Sequence, residues 1–165
     1  IPGEIPNQID LTRTYPNIQG NAYFSAKAFV NNNKDVAQLL ENNQYKYPAI
    51  PFPVPSSTKT GLERPLISTF TKDGTSYQFL FKKTQTDQIR YIVVYGSEHN
   101  TKLDSNDPSQ IVEKVFIDAK SESIKYCISK DKLNNVKKVA FTFIDFYGNE
   151  SVAEIVNLQT EIKPN

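Results

Sequence analysis

Tryptophan is absent from this 165-residue chain, and cysteine and histidine occur once each, as Cys127 and His99. One thiol excludes an internal disulfide and any metal site built from several thiolates, and one imidazole excludes a His-rich site. Without tryptophan the chain lacks the broadest platform on which a sugar ring can stack. It also lacks a charge imbalance, since 19 basic and 18 acidic residues leave +1. That is not the electrostatic footprint of a dedicated nucleic-acid binder, and sixteen of the nineteen cations are Lys, which argues against Arg-based reading of phosphates or bases. Nucleic acid is therefore not expected as a partner. No apolar run approaches the roughly 20 residues of a membrane helix, so no membrane-spanning segment is expected. The N-terminal IPGEIPNQIDLTR has no basic region ahead of an apolar core and reads as the interior of a longer protein, with any export signal or lipid anchor expected upstream.

Proline is concentrated rather than scarce. Tyr47–Ser57, YPAIPFPVPSS, holds four of the ten prolines, and a run with fixed φ and missing amide donors is expected to be extended. It divides the chain into residues 1–55 and residues 60–163. In the first part, Ala22–Phe24 is expected as a strand and Lys34–Asn42 as a helix. Asn31–Asn33 supply the N-cap, and Val36, Leu39 and Leu40 have the spacing of one helical face. One strand and one helix are half of a βα unit. Alone they cannot close a parallel sheet, so this part reads as a short α/β remnant of a larger barrel.

The second part is expected to be a seven-stranded antiparallel β-sandwich, with strands at Leu66–Thr71, Ser76–Lys82, Arg90–Tyr95, Ile111–Ile117, Ile124–Ser129, Val139–Asp145 and Val152–Leu158. Tyr77, Phe79 and Phe81 are expected in the core. For the third strand, Tyr91, Val93 and Tyr95 compete with Ile92 and Val94 for the inward face. In Val139–Ser151, VAFTFIDFYGNES, Val139, Phe141 and Phe143 fall on one face and Ala140, Thr142 and Ile144 on the other. Asp145, Gly148, Asn149 and Ser151 then supply turn chemistry. Cys127 alternates away from Ile124, Tyr126 and Ile128 and is expected to be a small residue on the second face of its strand.

The VAFTFIDFYGNES run resembles the penultimate strand of fibronectin type III domains, where apolar alternation leads into Asn or Asp and a Gly-containing turn ending in Ser. A second resemblance adds context. NAYFSAKAFVNNN followed by LLENNQYKYPAIPFP is similar to the last barrel strand, last helix and exit segment of family 10-like bacterial glycosyl-hydrolase-like proteins, in which a fibronectin-like domain follows the barrel. The Tyr91–Gly96 and Asp107–Val112 segments resemble a strand and a connection of that domain. The resemblance implies a fibronectin type III-like (Ig-like) β-sandwich preceded by a short α/β segment with one helix. It also implies an exported parent, periplasmic or on the bacterial cell surface, whose catalytic acids lie upstream. Phe81 stands where many fibronectin domains carry Trp, and Lys137 where many carry Tyr, so Phe and Tyr must fill the core.

In that setting Ser25 and Lys27, after the implied eighth barrel strand, are the substrate-contact candidates, because the C-terminal ends of barrel strands line active sites. Tyr45 and Tyr47 are candidates for packing on the interdomain face, with sugar stacking the alternative. Asp145 and Glu150 are close in sequence, but paired-carboxylate hydrolysis needs two groups about 5 Å or roughly 6.5–9.5 Å apart across a cleft, so they are read as turn-stabilising. No catalytic residue is assigned. Asp104, Asn106 and Asp107 are oxygen-rich like a calcium loop, yet lack its Gly and distal Glu, and are read as turn and cap residues. His99 is expected in an exposed loop. Lys130, Lys132, Lys137 and Lys138 are read as a solvated connection. No cofactor or metal is expected. The function expected is non-catalytic: an accessory region that supports or spaces the upstream barrel of the same polypeptide and contacts polysaccharide. An independent carbohydrate- or protein-binding sandwich and a self-contained enzyme are the other readings.

Overall fold

The computed structural model describes residues 3–18, 20–24, 26–54, 61–82, 88–98, 102–118 and 123–159. The chain divides into two compact units, Ile1–Tyr47 and Pro48–Asn165. The proline-rich stretch Pro48–Val54, counted above with the first part, thus belongs with the second.

The first unit is helical. α1 (Glu4–Arg13), α2 (Lys27–Val30) and α3 (Val36–Asn42) carry it. The strand expected at Ala22–Phe24 does not form, because none of the described residues of this unit offers it a pairing edge. α1 was not anticipated, although its signals are in the sequence: Glu4 in the first turn and Arg13 in the last oppose the helix dipole. Ile9, Val36 and Leu40 are buried, with Ile5 and Phe29 packed against them. Leu39, expected on the same face, is exposed. Left-handed φ at Asn32, Lys34 and Asp35 sharpens the entry to α3, and Asn32 Oδ1 accepts the Ala37 amide at 3.0 Å. Two hydrogen bonds tie α1 to the segment after α3. Arg13 donates to the Gln44 carbonyl at 2.6 Å, and Gln44 donates to Asp10 at 2.9 Å.

The second unit is a sandwich of two antiparallel sheets. β1 (Ile67–Lys72), β2 (Ser76–Phe81) and β5 (Ile124–Ser129) form one in the order β1-β2-β5. β4 (Ile111–Phe116), β3 (Ile89–Ser97), β6 (Lys138–Asp145) and β7 (Glu154–Asn157) form the other in the order β4-β3-β6-β7. All seven expected strands are present. Phenylalanines take the centre: Phe79 lies 4.6 Å from Phe141 and 4.8 Å from Phe70, and Phe81 lies 5.2 Å from Phe141, ring centre to ring centre. Irregular pairing in β1 brings both Ile67 and Phe70 against this core despite their three-residue spacing.

The competition between the two faces of β3 has a double outcome. Ile92 and Val94 enter the central core, while Val93 and Tyr95 join Ile111, Ala140 and Ile144 in a second cluster on the opposite face. Ile50, from the proline-rich stretch, packs on that cluster with Leu103 and Ala153, and Lys114 donates to the Ala49 carbonyl at 2.9 Å. The proline-rich stretch therefore covers part of the outer face of the four-stranded sheet, over the cluster of Val93, Tyr95 and Ala140. On the outer face of the three-stranded sheet Cys127 is exposed.

Polar links close both sides of the sandwich. On one side Tyr126 on β5 donates to Glu113 on β4 at 2.8 Å, and Lys132 pairs with the same carboxylate at 3.2 Å. On the other side Arg64 meets Glu154 on β7 at 3.4 Å. Lys132 and Lys130 are thus more than a solvated run: Lys130 donates to the Asp73 and Gly74 carbonyls in the β1–β2 turn.

That turn carries a pH-dependent contribution. The Ser76 hydroxyl, the Thr75 amide and the Ser76 amide hold the Asp73 carboxyl below its ordinary value of 3.8. A carboxylate whose folded pKa is lowered stabilises the fold above the unfolded value, and the contribution is lost as pH falls through the folded one. Asp73→Ala is therefore expected to lower the melting temperature at pH 7, with the gap to wild type closing as pH drops below about 4. A gap of constant size from pH 7 to strong acid would contradict this origin.

Candidate functional site

The polar end of the sandwich is built where β6 runs into its turn. Asp145 Oδ1 accepts the amides of Tyr147 and Asn149, each at 2.8 Å, and Oδ2 accepts the Asn149 side-chain amide at 2.9 Å. Gly148 has φ of +81° and sits against the Phe52 backbone, and Val54 donates its amide to the Tyr147 carbonyl at 2.8 Å. The proline-rich stretch is thereby pinned to the turn. Ser151 Oγ accepts the Phe143 amide at 2.9 Å. All four residues read from the sequence as turn chemistry take part.

Glu150 has a different partner set from Asp145. Its Oε1 accepts from both the Tyr95 hydroxyl and the Thr142 hydroxyl at 2.6 Å. Burial, and then the hydrogen bond to Glu150, push the Tyr95 phenol above its ordinary range. Burial likewise raises the Tyr126 phenol, reinforced by its bond to Glu113. Asp145, Glu150 and Glu113 are thus each engaged by structural donors, and their arrangement holds strands and turns in place.

What faces outward beside them is aromatic and cationic. Arg90 on β3 lies with its guanidinium carbon 4.6 Å from the Phe116 ring centre and 5.2 Å from that of Phe146. Tyr91 meets Phe116 edge to face at 6.0 Å, and Lys114 lies over Tyr91 at 5.4 Å. Phe116, Phe146 and Tyr147 are each more than half exposed, at 53%, 53% and 56%. None of these residues was read from the sequence as a site residue, Tyr91 having been weighed only as a core residue of the third strand. The available signal was Phe146–Tyr147, two aromatics continuing past the end of an alternating strand into a turn.

The residues that were singled out lie elsewhere. Ser25 and His99 fall outside the described residues. Lys27 opens α2 and is exposed. Tyr45 is roughly half exposed within the helical unit, with Arg13 over its ring at 5.7 Å. Burial and a hydrogen bond with Tyr45 push the nearby Tyr23 phenol up to about 12. Tyr47, also half exposed, has Lys46 over its ring at 5.3 Å. A cleft of about 250 Å³ between α1 and the start of α3 is lined by Ile5, Ala28, Val36 and Leu39, with Glu4 and Lys34 among its polar residues. It is smaller than the roughly 300 Å³ at which small-molecule pockets begin.

In the oxygen-rich loop, Asp104 accepts the Asn106 amide at 2.9 Å and Asp107 accepts the Ser109 amide and hydroxyl at 2.9 and 2.6 Å. Those carboxylates cap turns, as their residue types suggested. Among the described residues no three His, Cys, Asp or Glu side chains gather as metal ligands, and no helix is long and apolar enough to cross a membrane. Set against known proteins, the chain matches no family model, no curated protein and no solved structure.

Proposed function

We propose that this chain is a non-catalytic accessory region of an exported glycosyl-hydrolase-like protein, acting by contact with polysaccharide rather than by chemistry. The observation that carries the reading is the division of labour at the polar end of the sandwich: its carboxylates are bound by structural donors, while its aromatic rings face solvent. Seven strands in two antiparallel sheets, ordered β1-β2-β5 and β4-β3-β6-β7, support the β-sandwich part of the reading. Among the described residues of the helical unit only Ile9, Val36 and Leu40 are buried, whereas Leu11, Tyr15, Phe24 and Val30 are exposed, as suits a segment of a larger assembly. The absent strand at Ala22–Phe24 weighs against a barrel strand there, so the reading rests on the sandwich. An independent binding module at the cell surface is the second reading, favoured by the same exposed rings.

The test is direct. The purified chain is incubated with a panel of soluble and insoluble polysaccharides, and both released reducing ends and retained protein are measured. Retention on at least one polysaccharide without hydrolysis is expected. Hydrolysis by the chain alone, abolished by Glu150→Gln, would establish an enzyme and overturn the proposal.

A further inference from the structure

Arg90 occupies an irregular position in its strand. Ile89 pairs with Asp145 and Tyr91 with Ile144, so β3 carries an extra residue, Arg90, between two consecutive positions of β6. This is a β-bulge, which locally re-aims the side chains of the strand. One result is that Ile89 and Ile92, three residues apart, both reach the central core. The other is that neighbouring Arg90 and Tyr91 both stand on the aromatic surface formed with Phe116 and Phe146.

Contact with two rings restrains the flexible Arg90 side chain, and a guanidinium carries in-plane N–H donors that suit a planar acceptor. Among the described residues no carboxylate forms an ion pair with Arg90 or Lys114, and Lys114 instead donates to the Ala49 carbonyl, so two cations border the exposed rings. Such a surface complements a ligand that carries carboxylates and broad C–H faces together. A uronate-containing polysaccharide has both: pyranose faces that rest on Phe116 and Phe146, and a carboxylate that takes the planar fork of Arg90.

We propose that Arg90, Phe116 and Phe146 form a binding subsite for an acidic, uronate-bearing polysaccharide, with Lys114 contributing a second positive charge. The assignment rests on the accessory, polysaccharide-contacting reading above and specifies its ligand class. The full chain is run through native gels containing polygalacturonate, neutral galactan or polyglutamate. Retardation by polygalacturonate alone is expected, weakening as salt screens the charge pair. Arg90→Ala and Phe146→Ala are each expected to weaken it by about tenfold. Arg90→Lys, which keeps the charge and loses the planar fork, is expected to fall short of wild type.

Phe146 is in an exposed turn, so its variant is expected to fold, and melting curves of all variants check this. Retardation by polyglutamate as strong as by polygalacturonate would overturn the assignment in favour of simple charge attraction. So would polygalacturonate binding that Arg90→Ala and Phe146→Ala both leave unchanged. Binding to galactan alone would also overturn it while leaving the accessory reading intact. Binding to none of the polymers would overturn it too, and hydrolysis would overturn the accessory reading itself.

Discussion

Phe141→Ala is expected to destabilise the sandwich by about 3–5 kcal/mol, the range for truncating a fully buried aromatic ring. Phe141 has no solvent exposure and lies at the junction of the two sheets, 4.6 Å from Phe79, 5.2 Å from Phe81 and 6.0 Å from Tyr126. Truncation removes the apolar transfer term and leaves a cavity lined by rings that rigid strands prevent from collapsing. Against a typical domain stability of about 5–15 kcal/mol, the loss is large enough to leave a partly unfolded population near physiological temperature. With a denaturation slope of about 1–3 kcal/mol/M, the urea midpoint should fall by at least about 1 M. The chain has no Trp, so circular dichroism with tyrosine fluorescence is the practical readout. Leu80→Ala is the matched control, because Leu80 sits on β2 but faces outward with 36% exposure. Equal losses in the two variants would mean that Phe141 is not at the centre of the core.

Gly148→Ala is expected to cost about 2–4 kcal/mol, combining a left-handed backbone with a steric collision. At φ of +81° a Cβ is already disfavoured, and here it would stand 2.6 Å from the Phe52 carbonyl oxygen and 3.2 Å from Pro53 Cα. Both are backbone atoms, so no flexible side chain can swing aside. Relief requires the proline-rich stretch to lift from the turn, stretching the Val54 to Tyr147 bond and loosening Ile50 from the second apolar cluster. Faster proteolysis within Pro48–Val54 should therefore accompany the lower melting temperature. Gly74→Ala, where an added Cβ meets nothing within 4 Å, is expected to be nearly neutral. If Gly148→Ala melted like wild type and resisted protease equally, the close seating of Phe52 on the turn would be refuted.

The seven strands were legible because period-two alternation is a local property, and Val139–Ile144 shows it most clearly. The turn after β6 was legible for a related reason: Asp145, Gly148, Asn149 and Ser151 act on backbone groups a few residues away. Ala22–Phe24 was misread because three apolar residues resemble a strand whether or not a partner strand exists. α1 was missed because its two core-facing isoleucines, Ile5 and Ile9, form too sparse a stripe to stand out. Of the surface around Arg90, only the Phe146–Tyr147 pair left a local signal. The surface depends on a bulge created by the register between β3 and β6, and on Phe116 and Phe146 arriving from other parts of the chain.

The sequence by itself determined that an antiparallel sandwich would follow a proline-rich stretch, since alternating apolar residues, turn formers and missing amide donors act over distances of a few residues. Only the tertiary structure decided that the same stretch would pack on part of the four-stranded sheet and help bury Val93 and Tyr95 on one face of β3, alongside Ile92 and Val94 on the other. It also decided which carboxylates would be engaged, as when Glu150 met Tyr95 across 55 positions, and which aromatic rings would remain in water. These outcomes follow from long-range register and from where the chain crosses itself, and no local pattern of residues specifies either.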